Sequence, residues 1–271
     1  MRSPGPFGIA RSGPDLYDRI GRTYTTTRHP DPRIAAAIWN ALGDARTVLN
    51  VGAGAGNYEP RDRDVVALEP SAVMIAHRPP DGARVVHGRA EELPFEDGSF
   101  DAVMAVLSDH HWSDRRRGLR ECSRVARDRV VLFNADPGEA DLFWLTTEYL
   151  PEFLELIPPR YRPPGAWESE LRAALGEVEL VPVPVPHDCT DGFYGAFWRR
   201  PEAYLRPEVR KGISVFAQLS SGAVDRALQA LAVDLETGRW LNKHRSLLTA
   251  SELTLGYYVI VAEKNETGGR T

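Results

Sequence analysis

The stretch VLNVGAGAG, residues 48–56, constrains this chain more than any other. An apolar run short enough for a strand ends in a turn with glycine at every second position, Gly52, Gly54 and Gly56. Without a Cβ, such a backbone turns sharply and lets another group approach closely. In an open α/β sheet a turn of this kind lies at the carboxyl end of a strand, where ligands bind. A tight strand–helix turn without a ligand is the plain alternative, but three glycines exceed what a turn alone requires.

The surrounding pattern agrees with a sheet covered on both faces. Apolar runs with little polar alternation recur at Thr47–Val51, Asp64–Leu68, Ala83–His87, Asp101–Leu107 and Arg129–Phe133. Strands buried on both sides read this way. Helical stretches lie between them. One begins at Asp31, a natural N-cap followed by Pro32 at the first helical position, and carries Ile34, Ala37, Ile38, Ala41 and Leu42 as one stripe. Ser71–His77 and Asp114–Ala126 read as further helices. The expected fold is doubly wound α/β, with "LGYYVIVAEK" as a closing strand. Beyond Asp136 prolines and aromatics crowd in. The Val-Pro alternation of Val178–Val185 suits only an edge strand, while Trp167–Leu175 and Ala223–Leu235 read as helices of an insertion.

Composition narrows the function. With 271 residues, 42% hydrophobic and 26% charged, the chain reads as an ordinary globular protein. A net charge of −5 gives no general pull toward nucleic acid or anionic membrane. No apolar run approaches the ~20 residues of a membrane span. The first residues lack the apolar core of a signal peptide. Cys122 and Cys189 have no metal-spacing partners. A cytoplasmic protein with no metal is expected.

Two ligand classes compete for the glycine loop. A dinucleotide site expects G-x-G-x-x-G, whereas here the third glycine, Gly56, comes one place early. A phosphate loop of the Walker type needs Gly-Lys-Ser/Thr, which does not follow. Glu69, 17 residues beyond Gly52, ends the second strand, and a carboxylate there can accept both hydrogens of a ribose diol. Strands one and two thus describe an adenosine-ribose site and leave the cofactor open.

Taken in order, "VLNVGAGAGNYE", "VVALEPS", "GRAEELPFEDGSFDAVMAV" and "SDHHW" resemble the successive motifs of the class I S-adenosylmethionine-dependent methyltransferases, over about residues 45–135. The likeness is nearest to small-molecule methyltransferases with an LPF…SFD signature. It implies a seven-stranded, mostly parallel Rossmann-like sheet with an antiparallel last strand, S-adenosyl-L-methionine as cofactor, and a small organic methyl acceptor. Gly52, Ala53, Gly54 and Gly56 then match the loop under the methionine part. Glu69 and Pro70 match the ribose end, Ala90 and Glu91 the adenine edge, and Leu107 and Ser108 the sulfonium end. The chain departs from the family pattern in three places: Asn50 stands where an acid is usual, Arg89 where Asp or Asn is usual, and Asp109 where an apolar residue commonly precedes the paired histidines.

The same resemblance folds the N-terminal segment over the cofactor, with Tyr17, Tyr24 and Arg28 closing the site and Arg28 meeting the methionine carboxylate. Asp109, His110 and His111 fall near the methyl group, histidine being the natural base at neutral pH; Asp136 is a weaker candidate. An aromatic-rich cap supplies the acceptor pocket, with Trp144, Tyr149, His187, Phe193 and Trp198 as candidate contacts. The expected division is a lid at 1–30, a core at 31–136 with 176–186 and 254–264, and a cap at 137–175 and 187–253. A monomer or homodimer is expected. The alternatives are a cofactor-binding relative that regulates or catalyses a non-methylating reaction, and an NAD-dependent oxidoreductase.

Overall fold

The computed structural model describes residues 27–264. Nine strands occur among them: β1 Thr47–Val51, β2 Asp64–Glu69, β3 Arg84–His87, β4 Phe100–Val106, β5 Ala126–Ala135, β6 Glu179–Pro182, β7 Val185–Pro186, β8 Glu252–Leu253 and β9 Tyr257–Glu263. Seven form one sheet in the order β3-β2-β1-β4-β5-β9-β6. Pairs from β3 across to β5 are parallel, and β9 runs antiparallel to both β5 and β6. This is the expected doubly wound sheet with its reversed last strand. Order reverses beside β1, which places the glycine turn at the switch point where ligands bind.

Alternate residues of each central strand serve opposite faces. Val48, Met104, Val131 and Phe133 meet Ile34 and Ile38 of helix α1 (Pro32–Ala41), its C-cap Leu42 and the aromatic insertion. Leu49, Val103, Val130 and Leu132 meet helix α3 (Arg115–Val125), which follows the short α2 (Ala72–Ala76) in the chain. Helix starts follow their caps: Asp31 accepts from Arg33 N, Ser71 from Met74 N, and Asp114 from Arg117 N.

The insertion carries α4 (Glu152–Leu156), α5 (Ala166–Leu175), α6 (Pro207–Lys211), α7 (Ser221–Glu236) and α8 (Arg239–Lys243). Sequence reading groups α5 with the cap, yet Trp167, Leu171 and Leu175 bury against the α3 face of the sheet. The Val-Pro run is not one strand. β6 holds the sheet edge, Val183 N still reaches Tyr257 O at 2.8 Å, and past Pro184 the chain leaves to pair β7 with β8. A proline cannot donate to the ladder, so the departure falls there. Among the described residues no helix is long and apolar enough to cross a membrane.

Candidate active site

The carboxyl ends of β1, β2 and β4 open into a cavity of ≈ 240 Å³. Gly52, Ala53 and Gly54 form its floor, Glu69 and Pro70 one wall, and Val106, Leu107 and Ser108 another. Gly52 has φ +69°, and a Cβ on it would come within 2.7 Å of Ser108 Cβ. Its N–H donates to Leu68 O at 2.9 Å, while Ser108 Oγ donates to Val51 O at 2.8 Å, so the floor is held from both neighbouring strands. Glu69 is 5% exposed; its carboxylate accepts from Gly54 N and Ser71 N, each at 2.8 Å. Two backbone donors fix its orientation, and an ionised carboxylate retains lone pairs for more.

Asn50 is explained by its neighbours. Its Nδ2 donates to Glu59 Oε1 at 3.0 Å, and Glu59 is clamped by Arg78 Nη2 at 2.7 and 2.9 Å. Arg78 Nη1 also donates to Gly54 O at 3.1 Å. The acid of this loop thus sits at Glu59, and a second carboxylate at position 50 would face it. Because Glu59 can only accept, the Asn50 amide must turn its nitrogen that way. Its Oδ1, buried in a residue that lines the cavity, finds no donor among the described residues. An orphaned acceptor of this kind fits a cationic or N–H-bearing ligand, such as the ammonium of a methionine moiety.

Two non-glycine residues with positive φ border the same cavity: Tyr58 (+65°) and Leu107 (+49°). Such backbone costs on the order of 1–3 kcal/mol and persists where surroundings over-determine it. Leu107 is held by its N–H to Phe133 O at 2.8 Å. Tyr58 is 2% exposed, and its hydroxyl donates to Asp191 Oδ2 at 2.8 Å.

Asp109, His110 and His111 form a single helical turn after β4, with the imidazole rings 3.9 Å apart. The fold gives the three different work. Asp109 is fully buried and bound by Arg115 at 2.7 Å and by Asn134 Nδ2, while Arg115 continues to Glu170 at 2.8 Å. Both Asp109 oxygens are engaged beside the α3–α5 contact, and it is not among the cavity-lining groups, so it does not face the space where a methyl acceptor would sit. His111 lines the cavity, and burial, with His110 and Arg28 nearby, holds its pKa well below the usual imidazole range. His110 is exposed and is not among the cavity-lining residues; desolvation by the surrounding protein lowers its pKa against a raising influence from Asp109. Both imidazoles are therefore neutral at pH 7.

Asn134 sets how His110 presents itself. Its Oδ1 accepts from Ala135 N at 2.8 Å and its Nδ2 donates to Asp109, so the amide orientation is fixed. The same Nδ2 lies 3.2 Å from His110 Nδ1. Nδ1 is then the acceptor, and the neutral ring carries its proton on Nε2. Nothing in the sequence marked Asn134 for this.

Ala90, Glu91 and Arg89 all line the cavity. Glu91 also secures the start of α3, accepting from Ser113 Oγ at 2.6 Å and Asp114 N at 3.0 Å. Burial, which would raise its pKa, is outweighed by these bonds, and the carboxyl lies below its ordinary value. Arg28 reaches the cavity wall, but its guanidinium grips Asp191 through Nε at 2.6 Å. Tyr17 and Tyr24 lie outside the described residues. Gly56 and Asp136 do not line the cavity; Asp136 caps the turn after β5 through Gly138 N at 2.8 Å.

The proposed acceptor contacts are not gathered there either. Trp144 donates to Trp198 O at 2.9 Å, Trp198 to Val185 O at 2.9 Å, and Tyr149 to Asp234 at 2.9 Å; with Phe193 they form the buried interior of the insertion. His187 pairs with Ser251 O at 3.1 Å beside the β7–β8 pair. Aromatic richness marked a core, because a stripe of rings reads alike whether it packs on itself or on a ligand. Among the described residues no three metal-ligating side chains converge.

Fold and site together define a Rossmann-like α/β protein with a glycine-floored cavity at the switch point beside β1. Residues 49–133 match a family model described as a methyltransferase domain. A putative methyltransferase from an antibiotic biosynthesis pathway of Anabaena variabilis is 33% identical with a TM-score of 0.77, over 87% of this chain and 98% of that one. The chain belongs to the class I S-adenosylmethionine-dependent methyltransferase family. The uncharacterized methyltransferase YcgJ of Bacillus subtilis is 32% identical over 91 residues, 30% of this chain and 36% of that protein. The match thus spans little more than a third of that curated relative. The [4+2]-cyclase SpnF shares the fold alone, at 17% identity and a TM-score of 0.54 over 93% of this chain and 94% of that one.

Proposed function

We propose that this protein transfers a methyl group from S-adenosylmethionine to a small organic acceptor. The observation that carries the reading is Glu69, held by Gly54 N and Ser71 N at the tip of β2 and facing the cavity. The bound cofactor supplies an activated methyl with a good leaving group. The chain's own residues do the rest. Glu69 takes the ribose hydroxyls, the Gly52–Gly54 floor supports the methionine part, and Asn50 Oδ1 offers an acceptor at its amino end. Methyl transfer needs alignment above all, worth about 7–11 kcal/mol when the geometry is right. A neutral His111 closes the Leu107–Ser108 end of the cavity without charge, which suits an acceptor that arrives already deprotonated. His110, beside it in the same turn but outside the cavity lining, carries its proton on Nε2.

Calorimetry with S-adenosylhomocysteine tests the site. Glu69→Ala is expected to weaken binding about 100-fold, since charge-assisted hydrogen bonds contribute ~1.5–3 kcal/mol each. Unchanged affinity would remove Glu69 from the site. Mass spectrometry for the gain of one methylene across candidate acceptors tests the reaction.

A second reading is favoured by the commitment of Asp109 to Arg115 and of His110 Nδ1 to Asn134, which leaves the methyl end poor in proton acceptors. In that reading the protein binds the cofactor and regulates or catalyses another reaction. Tight S-adenosylhomocysteine binding with no methylated product from any acceptor class would select it.

A further inference from the structure

Asp191 belongs to the insertion, 163 residues from Arg28, and is fully buried. Its carboxylate gathers three segments. Arg28 binds it side-on, Nε to Oδ1 at 2.6 Å and Nη2 to Oδ2 at 3.2 Å. Tyr58, from the glycine loop, donates to Oδ2 at 2.8 Å, and Gly192 N caps Oδ1 at 2.7 Å. Arg28 and Tyr58 both line the cavity at the end of β1, whereas Asp191 stands behind them on the cap side.

Further bonds run along the same seam. Asn57 Nδ2 donates to Arg28 O at 3.1 Å, and Thr190 N donates to Asp31 Oδ2 at 3.1 Å. Arg33 meets Asp188 at 2.7 Å. Thr27 lies so close to the cap that a Cβ on Gly192 would come within 2.5 Å of Thr27 O. A side chain there would push the two segments apart. These bonds hold residues 27–33 against the loop and the cap, and Asp191 is the group whose carboxylate touches all three segments at once.

We infer that Asp191 is a positioning residue through which filling of the cofactor cavity tightens the cap. It touches no reacting group. It holds Arg28 at the cavity wall and Tyr58 in its left-handed conformation. A ligand that presses on those two residues is felt by the cap segment, and a cap drawn onto Asp191 returns the favour by the reciprocity of linked equilibria. The inference rests on the proposed cofactor reading.

Hydrogen–deuterium exchange of the full chain, with and without S-adenosylhomocysteine, tests it alongside calorimetry. In the wild-type protein the cofactor product is expected to slow exchange in residues 188–200 as well as in the glycine loop. Asp191→Asn should bind it roughly tenfold more weakly, within the usual span for coupled sites, and lose the protection of 188–200 while keeping that of the loop. Tyr58→Phe removes a single hydroxyl and leaves the Arg28–Asp191 pair. It should fold normally and lose part of the cap protection, and it decides the question if Asp191→Asn unfolds. A wild-type cap indifferent to S-adenosylhomocysteine, or one protected equally in Tyr58→Phe and any folded Asp191→Asn protein, would overturn the inference. No S-adenosylhomocysteine binding at all would instead overturn the cofactor reading.

Discussion

Asn50 shows how one departure from a family pattern becomes intelligible once its neighbours are known. The loop keeps its acid, but at Glu59, clamped by Arg78 and by the amide of Asn50. Asn50→Asp would set two carboxylates where 3.0 Å now separates donor from acceptor. Repulsion at such range is on the order of 4 kcal/mol at an effective dielectric of ~20, before Arg78 offsets part of it. The variant should melt earlier and bind S-adenosylhomocysteine more weakly, and adding Glu59→Gln should restore much of both. Thermal melts and calorimetry over the double-mutant cycle read this directly. His111 gives a second test at this scale. Its pKa is depressed on folding by burial, so its contribution to stability is complete above the unfolded value of about 6.5 and is lost as pH falls below it. His111→Gln should flatten the decline in urea midpoint below pH ~6.5 relative to wild type; an unchanged slope would show that His111 is not its source.

At the scale of elements, helices with side-chain caps and strands buried on both faces were legible, because each signal is local. Asp31, Ser71 and Asp114 cap where sequence reading starts the helices, and β1 to β5 fall on the apolar runs. The place of α5 was not legible. Trp167, Leu171 and Leu175 declare a buried face without naming the surface that receives it. Its seat against α3 depends on Arg115, 8% exposed, joining Asp109 and Glu170 across the two helices. Burial works against the Arg115 charge, but these carboxylates outweigh it and hold the guanidinium protonated. Glu170 keeps Arg116 at 3.1 Å and the Tyr161 hydroxyl, but Arg115→Met would leave the fully buried Asp109 with only the Asn134 amide, and breaking a buried pair from one side costs about 3–5 kcal/mol. Urea denaturation should show a loss of that size. A loss below about 1 kcal/mol, the level of a surface pair, would mean that α5 is held by its apolar face alone.

For the whole molecule, the sequence revealed the ligand loop and the order of motifs, and could not reveal contacts made across the fold. Sequence reading sets Arg28 against the methionine carboxylate; Asp191, which it grips, lies 163 residues further along the chain. Asn134 likewise gains its role only because β5 lies beside β4. The cavity at the sheet's switch point ties these distant contacts together, so filling it should stabilise the molecule as a unit. S-adenosylhomocysteine at about 100 times its dissociation constant adds ~2.7 kcal/mol to the folded state. For a protein of this size that raises the thermal midpoint by about 5–10 °C. NADH at equal concentration should leave the midpoint unmoved. Gly52→Ala should abolish the shift, because the added Cβ strains a φ of +69° and meets Ser108 where the floor must stay low. A full shift surviving in Gly52→Ala would place the ligand elsewhere on the sheet and undo the assignment of the glycine loop as its floor.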